Sequence, residues 1–190
     1  KHEKILYIMK DKLTIKAKRE GYNARSAYKL IEINRKYNLI KKNSRVLDLG
    51  CWPGGWLQVA YKITKDVIGV DLKETSIEGI KTYVMDIFSD KILDLGKFDV
   101  VLSDVAPQTS GNMDLDQYKS FELSLRAFEI ALKSLNKNGN FLVKIFQGTD
   151  SDSLLKKMKK NFKLAKSVKP KSSKSKSKEI YYVGIGLMKD

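Results

Sequence analysis

The run RVLDLGCWPGGW at residues 45–56 constrains the fold of this chain more than any other stretch. Apolar residues around Asp48 predict a short buried strand, the glycines and proline predict a tight turn, and residues 57–60 begin a helical pattern. Glycines let a ligand approach the backbone, and a helix N-terminus offers free N–H groups. The stretch therefore predicts a ligand cradle, with an ordinary strand, turn and helix of an α/β domain as the alternative.

An acid follows this cradle at the distance expected for a nucleoside ligand. Residues 67–70 predict the next strand, and Asp71 closes that strand 21 residues after Gly50. A carboxylate about 20 residues past such a loop is placed to accept hydrogen bonds from ribose hydroxyls. The pattern indicates a nucleoside-containing cofactor without saying which one.

Length and composition fit one domain, because the 190 residues have a hydrophobic fraction of 42%. No apolar run is long enough to predict a membrane span. Cys51 is the only cysteine and His2 the only histidine, so neither an internal disulfide nor a metal cluster is expected. The chain starts at Lys1 without a methionine, which leaves open a removed targeting segment and, as compartments, cytoplasm, nucleolus or mitochondrion.

The net charge of +15 is concentrated towards the two ends of the chain. Residues 1–45 carry a net charge of +10, residues 46–155 carry −5, and residues 156–178 contain 11 lysines and no acid. A mildly acidic middle between two basic flanks is typical of a protein that binds a polyanion. Alternatively the flanks are solvated tails, and we interpret residues 1–22 as a basic arm and residues 170–178 as a mobile Ser/Lys-rich loop.

Helices are predicted at residues 23–33, 56–63, 117–135 and 151–161. Asn23 is the expected N-cap of the first of these helices and Asp116 that of the longest. Lys29 lies beside the apolar stripe of its helix, and from the pattern alone a surface lysine is the better interpretation. Strands that alternate with helices predict an α/β sandwich around a mainly parallel sheet, with an antiparallel edge formed by the last strand.

Two acids stand at the carboxyl ends of predicted strands. Asp86 ends the strand predicted at residues 82–86, and Asp104 follows the strand predicted at residues 98–103. Ligands of open parallel sheets bind at this edge, so both carboxylates are predicted to reach the ligand, with a helix N-cap as the alternative for Asp86.

Lys144 is the strongest lysine candidate for a functional role. It lies inside the apolar strand predicted at residues 140–146, where a charged lysine is expensive to bury. A lysine at the end of a strand that reaches solvent is the alternative. The last predicted strand, at residues 179–187, begins with Glu179 directly after the basic loop.

Five blocks of the chain, in order, resemble the FtsJ/RrmJ family of S-adenosylmethionine-dependent RNA ribose 2′-O-methyltransferases, from about residue 11 to residue 187. The blocks are RSAYKL at 25–30, LDLG at 47–50 with PGGW at 53–56, SDVAP at 103–107, VKIFQG at 143–148 and SKEIY at 177–181. The resemblance implies a Rossmann-like seven-stranded sheet of order 3-2-1-4-5-7-6 with strand 7 antiparallel, helices on both faces, and a single methyltransferase domain over residues 1–190.

The same resemblance implies S-adenosylmethionine as cofactor, RNA as partner and a monomer without a metal. It assigns the catalytic set to Lys29, Asp104, Lys144 and Glu179. It assigns the cofactor contacts to Gly54, Trp56, Asp71, Asp86 and Asp104, and the loop glycines Gly50 and Gly55 complete this predicted set. In this hypothesis Lys144 is the general base, Asp104 holds Lys144, and Glu179 orients Lys29 or the ribose hydroxyl.

The chain departs from the family pattern in three places, and three alternative functions are open. Cys51 and Trp52 replace a pair of small residues, which predicts a differently shaped cofactor loop, and the short segment at 87–97 puts the third helix in doubt. The run NARS at 23–26 varies a more basic family pattern, which predicts a weaker phosphate contact. The arm at residues 11–28 resembles ribosomal RNA members more than tRNA members of the family. Outside these, a non-catalytic RNA-binding protein and a nucleotide-linked oxidoreductase are alternatives, although the loop lacks the G-x-G-x-x-G spacing of the latter.

Overall fold

The computed structural model describes residues 12–148, 150–174 and 177–189, so residues 1–11 of the predicted arm lie outside the described residues. Seven strands form one sheet: β1 (Arg45–Leu49), β2 (Asp66–Asp71), β3 (Lys81–Val84), β4 (Phe98–Ser103), β5 (Leu135–Phe146), β6 (Phe162–Val168) and β7 (Glu179–Leu187). The described ranges contain five α-helices: α1 (Lys12–Arg19), α2 (Ala27–Tyr37), α3 (Gly55–Ile63), α4 (Met113–Ser134) and α5 (Ser151–Asn161). None of them is both long and apolar enough to cross a membrane.

The sheet has the order β3-β2-β1-β4-β5-β7-β6, and β7 runs antiparallel to both β5 and β6. The predicted strand order and the antiparallel seventh strand are therefore confirmed. The other neighbouring strands pair in parallel, so both faces of the sheet must be covered. Helices α4 and α5 cover one face, where Phe128, Phe141 and Phe162 pack together, and α2 and α3 cover the other.

The parallel register brings the carboxyl ends of the central strands to one edge of the sheet. Leu49 at the end of β1 pairs with Val70 of β2 and with Ser103 of β4. Gly50 follows with a φ of +76°, and a Cβ at this position would lie 2.8 Å from the backbone nitrogen of Val105. Only glycine fits such a close approach, so the chain can turn here and leave the strand edge open.

The structure corrects both predicted N-caps. Helix α2 begins at Ala27 rather than after Asn23, and the Asn23 side chain instead donates a 2.7 Å hydrogen bond to the carbonyl of Pro53. Helix α4 begins earlier than predicted, and its N-cap is Asn112, whose side-chain oxygen accepts from two backbone N–H groups. Asp116 lies inside that helix, where its carboxylate accepts from the backbone N–H of Ser110. All these residues are good cap formers, so composition alone does not choose among them.

The structure also defines three segments for which the sequence predictions were wrong or left open. Strand β5 begins at Leu135, so the segment predicted to end the helix is already strand. The doubtful third helix is a 3₁₀-helix, Asp90–Leu95. In the predicted mobile loop, the backbone N–H groups of Lys171 and Ser172 donate to the Glu32 carboxylate, and residues 175–176 lie outside the described residues.

Candidate active site

A cavity of about 620 Å³ opens at the carboxyl ends of β1, β2 and β4. Four of the seven predicted cofactor-binding residues line this cavity: Gly50, Asp71, Asp86 and Asp104. The other three, Gly54, Gly55 and Trp56, form the start of helix α3 and are not part of the lining. The predicted cofactor-binding residues therefore fall into two groups. Four line the cavity, and three lie where the glycine turn enters helix α3.

Backbone hydrogen bonds fix the two acids that face this cavity from β2 and the segment after β3. The Asp71 carboxylate accepts from the backbone N–H groups of Trp52 and Lys73, each at 2.9 Å. The Asp86 carboxylate accepts from the backbone N–H of Phe88 at 2.9 Å. Both acids are therefore oriented by the backbone before any ligand arrives.

Trp52, which replaces a small residue of the family pattern, is part of the cavity wall. Its side chain is half exposed, and the Lys73 ammonium lies 4.0 Å from the centre of one of its rings. Leu72 and Phe88 are further exposed apolar side chains of the same wall. The cavity thus combines carboxylate acceptors with apolar surfaces, has a volume typical of small-molecule sites, and fits S-adenosylmethionine, whose ribose needs acceptors and whose adenine needs apolar walls.

The four predicted catalytic residues form two lysine–acid pairs. The Lys144 ammonium donates to the backbone carbonyl of Asp104 at 2.8 Å and lies 3.1 Å from Oδ1 of the same residue. The Lys29 ammonium lies 2.7 Å from Oε2 of Glu179. Lys29 is only 8% exposed and Lys144 only 6%, so the surface-lysine interpretation of Lys29 is wrong and the solvent-reaching alternative for Lys144 is excluded.

Lys29 and Lys144 both lower the pKa of Glu179. Burial by itself raises the pKa of this carboxyl, but the hydrogen bond and the charge of Lys29, together with the charge of Lys144, outweigh burial and lower the pKa below its usual value. Glu179 is therefore an anion at neutral pH, and its position next to Lys29 is held by an ion pair.

Tyr181 joins the two pairs, and the sequence analysis did not assign it a role. Its hydroxyl donates to Oδ1 of Asp104 at 3.3 Å, and its ring centre lies 5.6 Å from the Lys29 ammonium. Burial, then the charges of Asp104 and Glu179, raise the pKa of this phenol well above its usual value, so it stays protonated and donates. The available signal was the alternation of β7, because residues two apart share one face of a strand and Glu179 was already a candidate.

Asp48 is a second residue that the sequence analysis left without a role. It is 0% exposed, and neither carboxylate oxygen has a hydrogen-bond partner in the part of the chain that the structure describes. Burial, then the charges of Asp104 and Asp71, raise the pKa of Asp48 well above its usual value. Asp48 therefore holds its proton to a higher pH than an ordinary carboxyl does, and it lies close enough to Asp104 and Asp71 to be affected by their charges.

Comparison with known proteins gives consistent matches over most of the chain. The model of the FtsJ-like methyltransferase family matches residues 22–187. A Borreliella afzelii protein named ribosomal RNA large subunit methyltransferase E is 44% identical over 185 residues, covering 93% of this chain and 97% of the relative. A Methanothrix thermoacetophila protein of the same name is 44% identical over 187 residues, covering 94% and 73%.

Solved structures agree with these sequence matches. A Plasmodium falciparum protein described as a ribosomal RNA methyltransferase aligns with a TM-score of 0.78 at 33% identity, covering 87% of this chain and 98% of that chain. A Streptococcus mutans structure in complex with SAH aligns with a TM-score of 0.57 at 13% identity, covering 83% and 97%, which shows a shared fold. The family match agrees with the predicted cofactor, S-adenosylmethionine. With matches of this extent, the chain belongs to the FtsJ-like methyltransferase family.

Proposed function

We propose that this protein transfers the methyl group of S-adenosylmethionine to a ribose 2′-oxygen of large-subunit ribosomal RNA. The observation that supports this best is the meeting of two lysine–acid pairs, Lys144 with Asp104 and Lys29 with Glu179, beside the cofactor cavity. The names of the relatives, ribosomal RNA large subunit methyltransferase E, support the choice of RNA.

The chemistry needs one bond to form, one bond to break and one proton to move. The bound cofactor supplies a methyl group on a sulfonium, which is already activated for displacement. The ribose 2′-oxygen forms a bond to the methyl carbon as the carbon–sulfur bond breaks. The hydroxyl proton goes to Lys144, whose ammonium must first release one proton to solvent before it can act as the base. General-base help of this kind is worth roughly 10²–10⁴-fold in rate.

Asp104 has two tasks in this proposal. Its backbone carbonyl and its carboxylate hold the Lys144 nitrogen from two sides, which fixes the direction from which a proton is accepted. The same carboxylate stabilises the ammonium that Lys144 becomes when it takes the proton. Because this charge develops during the reaction, a preorganised anion beside it lowers the barrier.

Lys29 and Glu179 act as the positioning pair. Glu179 is ionised and holds the buried Lys29 ammonium near the ring of Tyr181, so a second positive charge lies close to the reacting hydroxyl. Orientation of a nucleophile towards its target supplies up to about 7–11 kcal/mol in favourable cases. We assign this pair to orientation of the ribose and Lys144 to proton transfer.

RNA binding is assigned to the basic surface. The chain carries a net charge of +15, and helix α1 presents Lys16, Lys18 and Arg19 in its last turn. Lysines and arginines that neutralise phosphates release counterions, so the affinity for RNA should fall steeply as the salt concentration rises. A flat salt profile between about 50 and 200 mM would contradict this assignment.

The decisive experiment uses labelled methyl transfer. Large ribosomal subunits from cells that lack this protein, total tRNA and a ribose-methylated control RNA are each incubated with the protein and S-adenosylmethionine, and the modified ribose is mapped. Label on a 2′-oxygen of large-subunit RNA supports the proposal, label on tRNA supports the tRNA alternative, and no label on any RNA supports a non-catalytic RNA-binding protein. Titration with NAD instead of S-adenosylmethionine tests the oxidoreductase alternative, and light scattering tests the expected monomer.

A further inference from the structure

A second cavity is lined by Glu179, one of the four predicted catalytic residues. It has a volume of about 320 Å³, and its lining includes Glu179, Lys178, Phe146, Gln117 and Asp116. Asp104 and Lys144 line the first cavity, whereas Glu179 lines the second. The catalytic residues therefore have a cavity at each pair. If the cofactor occupies the first cavity, the second cavity is the place beside these residues where the acceptor nucleotide can bind.

The charge of the second cavity is unlike that of the protein as a whole. Two carboxylates, Asp116 and Glu179, face it against the single ammonium of Lys178. A hydrogen bond from the backbone N–H of Ser110 lowers the pKa of Asp116, and Lys29 lowers that of Glu179, so both acids are ionised. Two anions repel a phosphate group, whereas an uncharged ring that carries N–H donors is attracted.

The Gln117 amide supplies the means of recognition. It has no hydrogen-bond partner in the described ranges, although Gln117 is partly buried. Gln117 belongs to α4 and lines this cavity together with Phe146 at the end of β5. Its position is confined, because a Cβ added at Gly148 would lie only 2.6 Å from Oε1 of Gln117. A primary amide offers both donors and an acceptor, which is the complement of a nucleobase edge.

Phe146 and Met113 add apolar surface to the same cavity. Proteins that read RNA by sequence stack unpaired bases on aromatic side chains and hydrogen-bond to their edges. From the position beside Glu179, the acidic lining and the unpaired amide, we infer that this second cavity binds the base of the nucleotide whose ribose is methylated, and that Gln117 selects that base. The inference rests on the proposed function and adds to it a site of base recognition.

The test compares the four bases at the methylated position. Large ribosomal subunits that carry each base there are prepared from cells without this protein, and kcat/KM is measured for each. For the wild type we expect a preference of about tenfold or more between the best and the worst base, since unpaired polar groups penalise the wrong partner. Gln117→Ala should reduce that preference to about twofold, with an unchanged Kd for S-adenosylmethionine in calorimetry.

Two further variants separate a change at the Gln117 side chain from the loss of an amide elsewhere. Gly148→Ala displaces the Gln117 side chain without removing it and should give an intermediate loss of preference. Gln147→Ala removes an exposed amide that lines neither cavity and should keep the wild-type preference.

Three results would overturn the base site while leaving the methyl transfer intact. These are equal wild-type rates for the four bases, an unchanged preference in Gln117→Ala, or an equal loss for all four bases with a weaker salt dependence, which is the signature of a phosphate contact. A wild-type protein that methylates no RNA would instead overturn the proposed function itself, so the two failures are distinguishable.

Discussion

The two lysine–acid pairs of the active site have similar composition but are built differently. Lys144 and Asp104 come from β5 and the end of β4, which are neighbouring parallel strands, and the Lys144 nitrogen contacts both a carbonyl and a carboxylate. Lys29 comes from helix α2 and Glu179 from β7, and one contact of 2.7 Å joins them. Both members of the first pair line the cofactor cavity, whereas only Glu179 of the second pair lines the cavity assigned to the base.

The difference shows which part of the fold controls each pair. Main-chain hydrogen bonds between β4 and β5 set the distance from Lys144 to Asp104, because Ser103 is paired with Val143 in the sheet. The distance from Lys29 to Glu179 depends on how helix α2 packs, through residues such as Leu30, on the face of the sheet. Hydrogen bonds between neighbouring strands keep the distance in the first pair constant, which suits proton transfer. Helix packing allows the distance in the second pair to change, so that pair can adjust to a bulky substrate.

The largest effect is expected for Lys144→Ala. Loss of the general base should lower kcat by about 10²–10⁴-fold, while the Kd for S-adenosylmethionine stays within about twofold because the cavity keeps its other walls. Single-turnover methyl transfer and calorimetry measure the two quantities. Lys137→Ala, at the exposed opposite end of the same strand, is the matched control. Normal turnover in Lys144→Ala would remove the distinction between the two pairs.

Lys29→Ala should have a smaller effect. Without the Lys29 ammonium the ribose is held less well, and misplacement of a reactant costs up to about 10²-fold. Glu179→Gln keeps the acceptor oxygen but loses the charge, so its effect should be smaller still. The double variant should lose less than the product of the two single losses if the residues act as one unit. A loss in Lys29→Ala equal to that of Lys144→Ala would assign proton transfer to either lysine.

Tyr181→Phe tests whether the two pairs are coupled. The substitution removes one hydrogen bond to Asp104 and keeps the ring near Lys29. A hydrogen bond worth about 0.5–1.5 kcal/mol corresponds to a loss of about two- to tenfold in kcat. The same loss measured in the Lys29→Ala background would show that Tyr181 acts on the first pair alone, and a reduced loss would show that it connects them.

The smallest effect is expected for Asp48→Asn, which changes stability rather than chemistry. The charges that act on Asp48 are those of Asp104 and Asp71, so it belongs to the surroundings of the first pair. The pKa of Asp48 is raised in the folded protein. Below the usual carboxyl pKa, protonated Asp48 therefore makes its full contribution to the stability of the fold, and this contribution is lost as the pH rises through the raised pKa. The Tm of Asp48→Asn relative to wild type should therefore increase between pH 5 and pH 8, by about 2 °C or more.

Thermal unfolding of both proteins at several pH values measures this difference. The exposed Asp94→Asn is the control for loss of a carboxylate elsewhere. A difference in Tm that stays constant with pH would mean that Asp48 is ionised in the folded protein, and the charge environment of the first pair would need to be revised.

Much of the fold was predictable because its signals are local. The alternation and composition of the last strand gave the bounds of β7 correctly, and helix α5 also begins and ends where its pattern predicts. The N-caps were wrong because Asn23, Asp116 and Asn112 have nearly equal capping ability, and tertiary contacts of each side chain decide between them. Asp48 was overlooked because an acid within an apolar strand gives no sign of its partners.

Periodicity and turn chemistry, which act over a few neighbouring residues, determined the alternation of strands and helices and the open glycine turn at the strand edge. The strand order and the catalytic residue types followed from the resemblance of five sequence blocks to a known family. Only the tertiary structure decided which of these residues touch. Lys29 and Glu179 are 150 positions apart along the chain, and their contact exists because helix α2 packs on the face of the sheet to which Tyr181 of β7 contributes. Packing between distant segments also placed Tyr181 between the pairs and opened a second cavity beside Glu179, and no local pattern encodes either feature.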